Sequence, residues 1–199
     1  MLKSPSFRNL PVANIEQLFE HLDLKIVTAG EVIIRQGDVG DYFYMINEGT
    51  AQVSREIDDE YGSIEMAELS VGSSFGEAAL ISDSSRNATV SMMSDGVLLR
   101  LSKEDFLQLL KEPALTHLTE QEAAAKIAAG GQWLDIRQRA DFDAGHRKGA
   151  LHASLNEMHM FAQQLSQNRP YICYCQTGQR SAAAAFIISQ YGIDVYVLG

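Results

Sequence analysis

From Asp23 onward the chain is a succession of short apolar runs, at 24–28, 31–35, 42–46, 50–57, 64–69, 88–93 and 97–101. Gly30, Gly37, Gly40, Gly49, Gly62, Gly72, Gly76 and Gly96 punctuate them. Strands this short and this regularly spaced, joined by glycine turns, point to an antiparallel sandwich or barrel. Ahead of them, Ile15, Leu18, Phe19 and Leu22 recur at helical spacing, which predicts an amphipathic helix laid against the barrel. Behind them, Ser102 is a candidate N-cap with Asp105 three residues on, and the helix it opens is expected to stop before Pro113.

The texture then changes. Residues 113–118 read as a linker too short for free tumbling. Thr119-Glu-Gln-Glu122 is a capping-box pattern, followed by an alanine-rich helix ending at Gly130-Gly131 and a strand at Trp133-Leu-Asp-Ile136. Helix and strand alternate from there to Val195-Tyr-Val-Leu198, as in a parallel sheet covered on both faces. At 199 residues the chain is comfortable for two small domains. We therefore expect an antiparallel, jelly-roll-like β-barrel with flanking helices over 1–112 and an α/β domain over 113–199.

Composition narrows the function classes. With 46% hydrophobic and 21% charged residues the chain has the make-up of a soluble globular protein. A formal net charge of -10 argues against a nucleic-acid backbone as partner, and no helix-turn-helix pattern is visible. Residues 1–10 lack the apolar core of a signal peptide and no later segment reads as a membrane span, so the expected location is cytoplasmic, with no membrane partner. His117, His152 and His159 show no metal-ligand spacing, and no metal is expected.

Chemistry concentrates in Cys175-Gln-Thr-Gly-Gln-Arg-Ser181. Tyr171-Ile-Cys-Tyr before it reads as a buried strand, and the alanines after Ser181 favour a helix that Gly192 ends. A strand, a tight loop and a helix N-terminus leave backbone N–H groups pointing at whatever occupies the loop. A thiolate there gains from those amides, the helix dipole and Arg180, so the Cys175 pKa is expected to fall. The plainer alternative is a strand-end cysteine used for packing. Cys173 lies two residues back within the strand and reads as core, and strand geometry disfavours a Cys173–Cys175 bridge.

This loop resembles the active-site loop of the rhodanese-like sulfurtransferases, whose cysteine takes up sulfane sulfur as a persulfide and passes it to a thiophilic acceptor. The resemblance implies that Cys175 carries the sulfur, with Gln176, Thr177, Gly178, Gln179, Arg180 and Ser181 as its cradle. Four residues separate Cys175 from Arg180, where related cysteine-dependent phosphatases have five; the shorter loop suits one sulfur better than a phosphoryl group. A second stretch carries the same likeness: Asp135, Arg137, Asp141, Phe142, Gly145, His146, Gly149 and Ala150 stand at family positions. Asp135 and Arg137 are expected to brace loops, and His146 to order a turn. The family usually continues through a glycine-containing loop and a closing helix, whereas this sequence stops at Gly199.

Within the first half, Gly76-Glu77 opens a short Ala-Ala-Leu-Ile helix, and Arg86 follows Glu77 by nine residues. Amides of Glu77, Ala78 and Ala79 can face an anion, Arg86 can meet its charge, and Glu77 can accept from a hydroxyl. The segment is similar to the phosphate-binding cassette of the cyclic-nucleotide-binding domains, with Phe75-Gly-Glu77 and then Arg86-Asn-Ala-Thr89, and residues 30–49 match that family's barrel turns. The likeness implies Glu77 on the ribose 2'-hydroxyl and Arg86 on the cyclic phosphate, with Gly76 and Ala78 as main-chain donors and Asn87 and Ala88 completing the cassette. Asn87 stands where cyclic-AMP binders often have alanine or serine and cyclic-GMP binders threonine. It leaves the base open, with cyclic AMP the favoured effector. Ser85 replaces the usual proline. The alternative is a barrel that has lost its ligand, with Glu77 and Arg86 as a structural ion pair.

Together these readings describe a cyclic-nucleotide-responsive sulfurtransferase with a small-molecule or protein sulfur donor and a thiol acceptor. The competing description is a non-enzymatic sensor whose second domain docks proteins or responds to redox state. A homodimer is left open by the family likeness, and no coiled-coil heptad is visible.

Overall fold

The computed structural model describes residues 12–58 and 62–199. The signal-peptide reading of residues 1–10 lies outside the described residues. The chain divides into two compact units, Met1–Leu110 and Lys111–Gly199.

In the first unit, helix α1 (Val12–His21) precedes strands β1 (Asp23–Val27), β2 (Val32–Ile34), β3 (Tyr42–Glu48), β4 (Ala51–Asp58), β5 (Gly62–Leu69) and β6 (Ser74–Phe75). Helix α2 (Glu77–Ser82) then leads to β7 (Thr89–Met92) and β8 (Gly96–Ser102). Two four-stranded antiparallel sheets form, ordered β1-β8-β3-β6 and β2-β7-β4-β5. Their shared core is built from Val27, Ile34, Tyr44, Ile46, Ala51, Phe75, Val90, Met92 and Leu98. Strand β3 is buried at four successive positions, Phe43 to Ile46. Tyr44 and Ile46 enter the core, while Phe43 stacks on Phe106 at 4.8 Å between ring centroids, so the residues after β8 cover its other face. That two-sided cover is why β3 reads as a continuous apolar run.

The exit from β8 corrects one expectation. Ser102 does cap the helix α3 (Lys103–Asp105), its hydroxyl accepting from the Asp105 amide at 3.2 Å. Helical structure does not stop before Pro113, however. It widens into a π-helical stretch, Phe106–Lys111, and closes with α4 (Glu112–Ala114). Pro113 falls in the first turn of α4 and has no N–H to offer a preceding carbonyl. The Leu109 carbonyl, which a regular α-helix would pair with residue 113, accepts instead from Asn14 Nδ2 at 3.4 Å.

The second unit is a five-stranded, wholly parallel sheet ordered β11-β10-β12-β13-β9. Its elements are β9 (His117–Leu118), α5 (Glu120–Ala128), β10 (Gln132–Asp135), α6 (Arg139–Ala144), β11 (Leu151–His152), α7 (Met158–Gln164), β12 (Tyr171–Tyr174), α8 (Gln179–Gln190) and β13 (Val195–Leu198). Residues read as linker thus supply an edge strand: β9 pairs with Val197 and Leu198, and Leu118 is buried. The capping box at Thr119 and Glu122 is formed as expected. Central strand β12 is buried at all four residues, and α8 is buried from Ser181 to Ile188. A helix buried over such a length carries alanines because their small side chains admit close approach without lost rotamer freedom. Its N-terminus and the end of β12 bracket the loop that carries Cys175. Among the described residues, no helix is long and apolar enough to cross a membrane, and no His, Cys, Asp and Glu side chains group as a metal site.

Candidate functional site

Two clusters lie in the two units and are described separately. In the second unit, β12 ends at Tyr174 and α8 begins after Gly178, which adopts φ +81° as the helix cap. The intervening loop places Cys175 half-buried, with Gln176, Thr177 and Gln179 exposed and Arg180 half-buried. Cys175 Sγ accepts from the Ser181 amide at 3.4 Å and lies 3.4 Å from Ser181 Oγ. Burial pushes the thiol up, but the Ser181 hydroxyl and the amides of Ser181, Thr177 and Gly178 outweigh it and hold Cys175 below the usual thiol range. The direction is the one expected from the loop. The leading causes of the fall are these hydrogen bonds from the loop. Cys173 is fully buried in β12, and burial pushes its thiol well up.

Beside the loop, Asp135 at the end of β10 is 0% exposed and holds Arg137 in a fork, Nε at 2.9 Å from Oδ1 and Nη2 at 2.6 Å from Oδ2. Arg137 Nη2 also donates to the Gly145 carbonyl at 2.7 Å, and His152 Nε2 lies 2.9 Å from the Arg137 carbonyl. These contacts tie the connection after β10 to the segments around Gly145 and β11. His146 Nδ1 lies 2.9 Å from the Phe142 carbonyl and its ring stacks on Phe142 at 3.9 Å, contacts that order the turn after α6. Tyr174 drew no attention in the sequence, yet its hydroxyl accepts from the Arg147 amide at 3.2 Å and helps hold Asp135 ionised. An aromatic in a strand reads as core, and only the sheet register, Asp135 beside Tyr174, reveals its polar end.

In the first unit, β6 delivers Gly76 in a left-handed conformation, φ +93°, at the start of α2. A side chain there is excluded: a Cβ would stand 2.8 Å from Arg86 Nη1, 3.1 Å from Ile34 Cδ1 and 3.1 Å from the Tyr42 carbonyl. Arg86 is 4% exposed. Its Nη1 donates to the Gly76 carbonyl at 2.7 Å, and its Nη2 to the Tyr42 carbonyl at 2.7 Å and to Asp41 Oδ1 at 3.0 Å. Asp41 is thus a carboxylate that meets this guanidinium, a partner that the sequence did not suggest. Glu77 is itself 2% exposed at the first position of α2. Asp41 lies 45 residues before Arg86, and no local pattern marks it; the start of β3 brings it there. Ala78, Asn87 and Ala88 flank these groups on α2 and the approach to β7, and the Asn87 carbonyl accepts from Arg55 Nε at 3.0 Å.

A family model for the cyclic nucleotide-binding domain matches residues 24–113, and one for the rhodanese-like domain matches residues 119–199. The chain is a cyclic nucleotide-binding domain followed by a rhodanese-like domain. It is 38% identical over 106 residues to a cAMP-dependent protein kinase regulatory subunit of Blastocladiella emersonii, covering 53% of this chain and 26% of that protein. It is 35% identical over 105 residues to the cGMP-dependent protein kinase egl-4 of Caenorhabditis briggsae, covering 52% and 14%. Among solved structures it is similar to the regulatory subunit of a cAMP-independent protein kinase A from Trypanosoma brucei, with TM-score 0.51 and 25% identity, over 54% of this chain and 39% of that one. The chain thus spans only a minor part of these relatives. The residues of the cyclic nucleotide-binding domain include groups suited to a cyclic nucleotide: a buried guanidinium for the phosphate, a buried carboxylate able to accept from a hydroxyl, and a glycine that lets the backbone pass close to Arg86.

Proposed function

We propose that this chain is a cyclic-nucleotide-responsive sulfurtransferase that carries sulfane sulfur on Cys175. The observation that carries the reading is the half-buried Cys175 sulfur, ringed by the Ser181 hydroxyl and three loop amides that favour its thiolate. In the loading step this thiolate attacks the outer sulfur of a persulfide donor. The new Sγ–Sδ bond forms as the donor's S–S bond breaks, and the electron pair leaves on the donor thiolate. In discharge an acceptor thiolate attacks Sδ, and Cys175 Sγ takes back the electron pair. Arg180, which has no ion-pair partner among the described residues, leaves its charge available to an anionic donor.

In the first domain Arg86 would hold the cyclic phosphate and Glu77 the ribose 2'-hydroxyl, Gly76 and Ala78 supplying main-chain donors and Asn87 and Ala88 lining the cassette. Cyclic AMP is the favoured effector. Among the described residues, Asp41 and the two carbonyls take three guanidinium N–H groups of Arg86, and two more can serve a phosphate. A sensor whose second domain docks another protein is the competing reading, favoured by the likeness of the first domain to kinase regulatory subunits.

The deciding experiment incubates the protein with a low-molecular-weight persulfide or thiosulfate, with and without cyclic AMP, and follows intact mass. The expected result is a gain of one sulfur that Cys175→Ser abolishes and cyclic AMP alters. Loading indifferent to nucleotide would remove the regulatory half of the proposal. A folded protein that never takes up sulfur would leave the docking reading standing.

A further inference from the structure

Ser181 is a buried hydroxyl with two neighbours and one proton to give. It is 0% exposed, its Oγ stands 2.9 Å from the Gly178 carbonyl and 3.4 Å from Cys175 Sγ, and its own amide donates to the same sulfur at 3.4 Å. A serine in a helix often bonds the carbonyl three residues back, and Ser189 of α8 does so with the Phe186 carbonyl at 2.7 Å. Ser181 differs because a nucleophilic sulfur lies within reach of the same oxygen. Proton counting then separates two states. When Cys175 is a thiol, its S–H can donate to Ser181 Oγ while Ser181 donates to Gly178. When Cys175 is a thiolate it has no proton to give, and the serine hydroxyl meets the charge only by turning from the carbonyl to the sulfur.

We infer that the Ser181 hydroxyl is the leaving-group donor of this site, turning from the Gly178 carbonyl to Cys175 Sγ whenever that sulfur becomes a thiolate and turning back when sulfur is loaded. The inference deepens the sulfurtransferase reading and rests on it for its catalytic meaning. In discharge, an acceptor thiolate RS⁻ attacks Sδ of Cys175–Sγ–Sδ–H. The RS–Sδ bond forms, the proton stays on Sδ, and the Sγ–Sδ bond breaks with its electron pair on Sγ. Charge therefore develops on Sγ at the moment the bond breaks, and Ser181 is placed to receive it. In the loaded state the outer sulfur carries the reactive proton, so Sγ no longer needs the donor. A better-stabilised leaving thiolate departs faster, so Ser181 should matter more to discharge than to loading.

The other groups around Cys175 frame the test. The amides of Thr177 and Gly178 also favour the thiolate, Cys173 of β12 is the neighbouring titratable group, and Arg180 is the charged residue of the loop. None of these changes in a Ser181 variant. Iodoacetamide alkylation of the full chain is followed against pH, with Cys175→Ser as background, because buried Cys173 is shielded. Ser181→Ala and Ser181→Val should raise the alkylation midpoint by about one pH unit, whereas Ser181→Thr, which shares the shape of valine but keeps the hydroxyl, should restore it. Ser189→Ala should leave it unmoved. An unshifted midpoint in folded Ser181→Ala, or an equal shift in the threonine and valine variants, overturns the inference. Persulfide discharge to a thiol acceptor, read by intact mass, should slow about three- to fivefold in Ser181→Ala, the part of a one-unit shift that a partly broken S–S bond feels. If no variant ever loads sulfur while the midpoints shift as stated, the sulfurtransferase reading falls and the thiolate role of Ser181 stands.

Discussion

Asp135 is a fully buried carboxylate, and burial alone pushes its pKa up. The Arg137 fork, the Tyr174 hydroxyl and the Arg137 amide pull the other way and win, so it sits below the usual carboxylate range. A folded-state pKa depressed in this way contributes stability above the unfolded value, and that contribution is lost as pH falls through the folded value, in the range below about pH 4. Arg137→Ala strands the buried charge and should cost the second domain about 3–5 kcal/mol at neutral pH, measured by urea denaturation. The deficit should shrink in acid as Asp135 takes a proton; a loss under about 1 kcal/mol at pH 7 would show the pair to be incidental. At Gly76 the constraint is steric. Gly76→Ala forces a left-handed backbone on an L-residue, at roughly 1–2 kcal/mol, and drives Cβ against Arg86 Nη1. The strain lowers stability, whereas the displaced guanidinium should weaken cyclic-AMP binding about tenfold, a loss of about 1.4 kcal/mol, in a titration calorimetry comparison with wild type. Unchanged binding would mean that Arg86 does not hold the ligand.

Elements differ in how openly the sequence announces them. Helix α5 is written locally: Thr119 accepts from the Glu122 amide while the Glu122 carboxylate accepts from Thr119, and both residues lie within one turn. Thr119→Ala should therefore destabilise the second domain by about 1 kcal/mol, read as a lowered thermal midpoint. The stretch after β8 was legible at its start and misread at its end. Ser102 advertises its cap, but Pro113 reads as a stop only if the helix keeps an α-helical register, and the π-helical turn from Phe106 changes that register. Strand β9 escaped notice because two residues carry no period; its hydrogen bonds come from β13, about eighty positions away. Loop and helix around Cys175 were readable because every part of that nest, from Cys175 to Ser181, is contiguous.

At the scale of the whole molecule the charge is unevenly shared. Acidic and basic residues balance in residues 111–199, so the full formal charge of -10 resides in residues 1–110. That acidic field opposes the approach of a cyclic phosphate, while the contact proposed for buried Arg86 would lie where salt screens poorly. Nucleotide affinity should accordingly hold or tighten between low and high salt, measured by titration at constant pH. A steep loss of affinity with salt would indicate a phosphate held by exposed cations and would move the site away from Arg86.

Patterns carried within a few residues were set by the sequence itself: the glycine-cut strands, the capping box, the cysteine loop and the Gly76-Glu77 turn. Each rests on local backbone geometry, where neighbours in sequence are neighbours in space. The tertiary structure alone decided that Asp41 meets Arg86, that Tyr174 supports Asp135, that His117 and Leu118 join the sheet, and that both the amide and the hydroxyl of Ser181 reach the Cys175 sulfur. The first three depend on strand pairing between distant segments. The last depends on which way a side chain turns within a single helical step, and a list of residues does not contain that information.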